Sequence, residues 1–222
     1  MTFIATESST ERSACAVFAN KGMVAFQNMK VGLIETRFLL SALDGLLEKV
    51  GVGLDALECV VAGVGPGSFT GIRVSCALAQ GIARGLSIPA VGVSSLRAFI
   101  PEEGFEGRFL VAIDARMGGI FSISGHMRAG NVTFVTREAL VTLAQFQEEM
   151  KRCDLLVTPC AQPITQRVDC SGIALLERGP DMNFLGQEGY RLFCSGEVGE
   201  LKPLYLRATQ AEIDLGISPC EI

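Results

Sequence analysis

Histidine is almost absent: His126 is the single one in 222 residues. A histidine-rich metal site within this chain is therefore excluded, and a Ser/His/Asp set has no credible base beyond His126. The eight cysteines (Cys15, Cys59, Cys76, Cys153, Cys160, Cys170, Cys194, Cys220) include no Cys-x-x-Cys pair, so a cysteine zinc site lacks its usual close ligands. They read as buried free thiols in a reducing cytoplasm. No run approaches the roughly 18 uninterrupted apolar residues of a membrane helix, and no charged leader precedes a long apolar segment. Secretion and membrane spanning are disfavoured, and the expected location is cytoplasmic. There is no block of Lys or Arg, and the net charge is −5, with the acidic excess after residue 100. Direct, tight nucleic-acid binding by this chain alone is not expected.

What is present is an apolar chain, 49% hydrophobic and 19% charged, long enough for one large or two small domains. Apolar runs predict strands at 3–5, 14–18 and 23–28, with Asn20-Lys21-Gly22 as a turn. Leu39, Leu43, Leu46, Leu47 and Val50 recur at helical spacing, predicting a helix over 36–50 that ends at Gly51 and Gly53. A strand over 59–64, a helix over 70–85, a strand over 89–93 and a helix capped by Ser94 or Ser95 follow. Three strands, helix, strand, helix, strand implies a mixed sheet with helices packed on it. The polar segment Pro101 to Gly107 is the best boundary, dividing a first lobe (1–103) from a second (104–222). The second half restarts with strands at 109–113, 118–127 and 132–135. It continues with a helix over 136–151, a strand at 155–158 and a helix over 184–194. The similar order suggests a duplicated lobe, thinner in helix, whose C-terminal tail returns to the first lobe.

The duplicated three-strand start, with a polar turn after each first strand, resembles the two-lobed actin, Hsp70 and sugar-kinase fold (ribonuclease H-like, α/β, mixed sheets flanked by helices). That resemblance implies nucleotide phosphates between the lobes, here against Ser8, Ser9 and Thr10 and against the turn from Asp114 to Gly119. Hydroxyls and free N–H groups in such turns bind phosphate, and a carboxylate holds Mg²⁺ through water. Equally, Ser and Thr are simply good turn formers. The Gly-Gly turn that binds adenosine in this fold has no counterpart in Thr158-Pro159-Cys160 or Arg178-Gly179-Pro180, so a complete ATP site is not expected.

Val60 to Val64 runs into Gly65-Pro66-Gly67-Ser68-Phe69-Thr70-Gly71, a glycine turn before a helix. It is not a P-loop, because the closing Lys-Ser/Thr is missing. In the helix, Gly71, Ser75, Ala79 and Ala83 fall four apart, so one face carries only small residues. A glycine within a helix costs about 1 kcal/mol relative to alanine, and close approach of another helix would offset that cost. Packing of this face on the chain's own sheet is the other reading.

Residues 61–99, VAGVGPGSFTGIRVSCALAQGIARGLSIPAVGVSSLRAF, resemble the signature of the TsaB (YeaZ) family. LVAIDARMGGIF (110–121) and PLYLR (203–207) resemble its second-lobe start and its C-terminal element. The resemblance implies the two-lobed actin-like fold and a non-catalytic partner of the metal-dependent transferase TsaD, with no catalytic residue and no metal of its own. It implies docking onto a TsaD-like subunit through the helices at 36–50 and 70–85, with Leu39, Leu43, Gly71, Ser75, Ala79 and Ala83 as interface residues. A homodimer would use much the same surface. The complex, with a TsaE-like ATPase, would transfer a threonylcarbamoyl group from threonylcarbamoyl-AMP to the adenosine beside the anticodon. In this scheme tRNA is met only indirectly, and ATP or ADP is held, if at all, at a subunit boundary. Glu7-Ser8-Ser9 stands where the family has Asp-Thr-Ser, and Glu35-Thr36 where it has His-Ser. Two other readings stay open: a nucleotide-binding or weak hydrolase or peptidase-like member of the fold, and a homodimeric binding module unrelated to tRNA.

Overall fold

The computed structural model of the chain describes residues 1–20, 22–29, 38–116, 119–199 and 201–206. The first sheet contains β1 (Thr2–Glu7), β2 (Ala14–Ala19), β3 (Gly22–Asn28), β4 (Cys59–Gly63) and β5 (Ala90–Val93), in the order β3-β2-β1-β4-β5. β1 to β3 form an antiparallel meander, while β4 and β5 add in parallel on the other side of β1. The second sheet repeats the plan with β6 (Gly107–Asp114), β7 (Ile120–Arg128), β8 (Asn131–Phe134), β9 (Ala139–Val141), β10 (Leu155–Thr158) and β11 (Ala174–Glu177). Its order is β11-β10-β6-β7-β8, with β9 paired to β7. In both sheets two parallel strands follow a three-strand meander, which is the duplication that the sequence order indicated.

Among the described residues, five helices clothe the sheets: α1 (Leu39–Val50), α2 (Phe69–Leu86), α3 (Leu143–Met150), α4 (Gln162–Thr165) and α5 (Met182–Ser195). The strand period of two sorts the cores. Ile4, Val17, Val60 and Ala62 face α1 and α2, packing with Leu39, Leu43, Ile72 and Ala79. The alternate residues Phe3, Ala5, Phe18 and Val61 face the other way, into one cluster with Phe109, Val111 and Ile113 of the second sheet and Leu185 of α5. The outer face of the second sheet, Leu110, Ala112 and Leu156, packs with Phe146, Met150 and Ile164. The central β1, β4 and β10 are buried along nearly their whole length, as near-continuous apolar strands require.

Beyond β11 and α4, which the sequence did not announce, three expected features take another form. The helix expected over 136–151 is the strand β9 followed by α3. Thr142 and Gln145 form a capping box that starts the helix at Leu143, and Ala139–Val141 hydrogen-bonds to β7 instead. The helix expected after Ser94 is a single 3-10 turn, Ser95–Ala98. α5, placed by the sequence division in the second lobe, packs on β1, β2, β4 and β5 of the first sheet. Gly186 and Gly189 bring it there: a Cβ on either would overlap the Phe18 ring or the Val61 side chain. Tyr190 stacks near Phe3, which itself lies flat on Phe18 at 4.5 Å. The expected start of α1 at residue 36, the Glu35-Thr36 pair, part of the 114–119 turn and the tail beyond 206 lie outside the described residues.

Candidate functional site

In open sheets with parallel strands, ligands lodge at the carboxyl ends of the strands. Here the carboxyl ends of β1 and β4 and those of β6, β10 and β11 come together, because the turn after β1 touches the residues after β10. Arg12 donates from Nε to the Pro159 carbonyl at 2.5 Å and pairs through Nη2 with Glu177, the last residue of β11. At the end of β6, Asp114 pairs with Arg167 and also accepts the Arg116 N–H at 3.0 Å. Arg12 and Arg167 are thus each paired with one of the chain's own carboxylates.

The hydroxyls of the β1–β2 turn point inward. Ser8, Ser9 and Thr10 are all buried. Ser8 Oγ donates to the Gly71 carbonyl at 2.8 Å, the Ser9 carbonyl accepts the Ser68 N–H at 2.6 Å, and Thr10 Oγ1 accepts the Arg12 N–H at 3.2 Å. Ser9 Oγ has no partner and is enclosed. The phosphate-contact expectation for Ser8, Ser9, Thr10 and Asp114 is therefore corrected. Three are sealed against the first lobe, and the fourth is neutralised by Arg167. These residues, buried or already paired, do not fit ATP with Mg²⁺. Among the described residues, no three His, Cys, Asp or Glu side chains converge to hold a metal ion. His126 is exposed in β7, opposite Arg108 and Thr133 in register.

Glu7, at the end of β1, is the unusual group. Its side chain is fully buried, Oε1 accepts the Ser9 N–H at 2.6 Å, and Oε2 has no hydrogen-bond partner. Burial pushes this carboxyl up from its ordinary range, with Ser9 and Ser95 opposing the rise. Ser95 Oγ accepts the Gly65 N–H at 2.9 Å, tying the 3-10 turn to the glycine loop beside Gly63, where the buried acid also ends.

α2 begins at Ser68, which caps the Gly71 N–H, and ends at Ser87 in the left-handed conformation. Its small-residue face is spent inside the chain. Gly71 lies against the Ser8 backbone so closely that a Cβ would overlap the Ser8 carbonyl. Ser75 Oγ meets Thr6 Oγ1 at 3.0 Å, and Ala79 and Ala83 are buried in the core between α2 and the first sheet. Leu39 and Leu43 of α1 are equally enclosed, at 0% and 1% exposure. The expectation that Leu39, Leu43, Gly71, Ser75, Ala79 and Ala83 form a partner surface is corrected: close approach is needed, but to the chain's own sheet.

The free face lies one step around the helix. Val74, Leu78 and Ile82 are half-buried and Ala77, Gly81 and Gly85 exposed, an uncharged arc bordered by Arg73 and Arg84. Beyond Gly81 and Gly85, and beyond Gly45 of α1, nothing lies within 4 Å of a notional Cβ. Phe38 and Leu40, at 46% and 56% exposure, add apolar surface at the start of α1. The segment 201–206 straps the base of α2. Leu204 N–H donates to the Val64 carbonyl at 2.7 Å, and Gln80 Nε2 to the Leu201 carbonyl at 2.8 Å. Phe69 stacks on Tyr205 at 4.3 Å, with Arg73 over the Phe69 ring and donating to the Tyr205 hydroxyl. Helical spacing alone contains the 74-77-78-81-82-85 arc, once the 71-75-79-83 stripe is assigned inward. Nothing in the spacing signals Arg12 or Arg167, whose partners are remote in sequence.

Comparison with known proteins places this architecture. The family model described as TsaD, tRNA N6-adenosine threonylcarbamoyltransferase, matches residues 36–186. The tRNA threonylcarbamoyladenosine biosynthesis protein TsaB of Haemophilus influenzae is 35% identical over 126 residues, 54% of this chain and 52% of that protein. The Bacillus subtilis protein of the same name is 28% identical over 186 residues, 78% of this chain and 80% of its own. The chain spans about half the length of the Haemophilus influenzae and Escherichia coli relatives that it matches. YeaZ from Pseudomonas aeruginosa superposes with a TM-score of 0.77 at 25% identity, covering 90% of this chain and 95% of that one. A match across more than half the chain, together with a shared two-lobed architecture, means that this chain belongs to the TsaD family, among its TsaB (YeaZ) members.

Proposed function

We propose that this chain is a non-catalytic accessory subunit in the making of threonylcarbamoyladenosine on tRNA, acting by pairing with a TsaD-like transferase. The relatives' names supply the process, and the uncharged outer arc of α2 supplies the surface. An arc of Val74, Ala77, Leu78, Gly81, Ile82 and Gly85 lets a second helix approach closely, and its exposure is the observation that carries this reading. The crevice supports a non-catalytic role, since Arg12 and Arg167 are paired with Glu177 and Asp114. A TsaE-like ATPase joins the complex, and a homodimer of this chain uses the same arc when the transferase is absent. A nucleotide belongs to a subunit boundary of the complex, tRNA is met through the partner, and the setting is the cytoplasm.

Gly81→Arg tests this. The arginine enters open space, so the variant folds. It is expected to lose co-purification with the TsaD-like subunit and to leave tRNA without the modified nucleoside in cells carrying only that variant. Folded Gly81→Arg that still co-purifies as wild type does would overturn the proposal.

A further inference from the structure

We propose that Arg73, at the foot of α2, selects an acidic side chain on the partner helix and so decides which helix the outer arc accepts. The inference rests on the reading of that arc as a docking surface. α2 carries no Asp or Glu, and its charged residues are Arg73 and Arg84. Arg73 is exposed at the border of the uncharged arc, beside Val74 and one turn before Ala77.

An exposed arginine samples many rotamers, and ordering one for a contact costs free energy. Here the side chain is ordered before any partner arrives. Its guanidinium carbon lies 4.8 Å from the centre of the Phe69 ring, and Nε donates to the Tyr205 hydroxyl at 3.2 Å. Phe69 and Tyr205 are themselves stacked at 4.3 Å, and the bond from the Leu204 N–H to the Val64 carbonyl fixes the strap that delivers Tyr205. The Nε end of the fork is thus held. Among the described residues, Nη1 and Nη2 have no hydrogen-bond partner and no carboxylate pairs with Arg73. A fork of this kind takes a carboxylate through two parallel N–H bonds, and its orientation in advance favours that contact.

The same group works against a second copy. In an α2-to-α2 contact between copies neither helix offers Arg73 a carboxylate, so its charge is desolvated without a counter-ion.

Calorimetric titration with the TsaD-like subunit, together with sedimentation of the chain alone, tests both halves. Arg73→Ala is a helix-favouring exchange at an exposed position, so the variant folds. It is expected to raise Kd for the TsaD-like subunit about tenfold and to leave self-association unchanged or tighter. The loss should shrink as NaCl is raised from about 0.05 to about 0.5 M. Tyr205→Phe keeps every charge and the ring stack but removes the hydroxyl that aims the fork, and should weaken the heterocomplex about threefold. Arg73→Lys keeps the charge without the fork and should recover only part of the affinity. If Arg73→Ala binds as wild type does, or weakens the homodimer as much as the heterocomplex, while Gly81→Arg blocks docking, this proposal is overturned and the arc stands. Wild type that does not bind the TsaD-like subunit overturns both.

Discussion

Ser75 Oγ lies 3.0 Å from Thr6 Oγ1 at full burial, so the hydroxyls of α2 and β1 satisfy one another. The four-apart small face of α2 is therefore a lock onto the first sheet. A charge placed there has no counter-ion and no water. Ala79→Arg is expected to lose on the order of 4 kcal/mol of stability or to fail to fold. Gly81→Arg, two residues on, should gain about 0.5–1 kcal/mol from helix propensity. Urea unfolding of the two variants checks the assignment of inward and outward faces.

α5 touches the first sheet through glycine. Gly189→Leu forces a side chain into Val61, and overpacking of this kind costs about 1–3 kcal/mol. Because α5 belongs to the core shared by both sheets, the loss should appear as one cooperative transition with a lowered midpoint, not as a separate melting of the helix. A two-step unfolding curve for the variant would contradict this.

Glu7 sets a pH dependence with a definite sign. Its folded carboxyl is raised above the ordinary value, so the folded state binds the proton more tightly than the unfolded chain does. Its stabilising contribution is fully present below the unfolded value of about 4.5 and is lost as pH rises toward the folded one. Glu7→Gln keeps the acceptor for the Ser9 N–H and removes the ionisation. At pH 8 the variant should be more stable than wild type, with the gain vanishing by about pH 4. Thermal unfolding across that range decides it.

Burial pushes the thiols of Cys15 and Cys59 up to about 12 and that of Cys76 to about 11. At pH 8 hardly any thiolate forms at these positions, whereas Cys194 is exposed. Iodoacetamide should label Cys194 in the native protein and reach Cys15, Cys59 and Cys76 only after unfolding. Mass spectrometry of tryptic peptides reads both states.

Much of the architecture was legible in order and periodicity. Apolar runs located β1 to β8 and β10 to within a few residues, and the leucine spacing located α1, because these elements bury one face or both in a core whose period shows. β11 was not legible, since Ala174–Glu177 has little burial to leave a pattern. β9 was hidden inside a helical periodicity that the Thr142 cap begins only later. At the candidate site, the small face of α2 was visible as a stripe, but its direction was not. Leu39 and Leu43 were visible as apolar helix positions, and such positions are core before they are surface.

Composition and spacing alone sufficed to exclude a histidine metal centre, to reject a P-loop at Gly65 to Gly71 and to propose two similar lobes. Those conclusions rest on which side chains exist and how far apart they stand along the chain. Which side of α2 meets the sheet depended on the folded chain, as did the seating of α5 on the first sheet and the occupation of the crevice by Arg12 and Glu177. Each joins residues far apart in the chain, and no local periodicity encodes a contact that exists only after two sheets have packed.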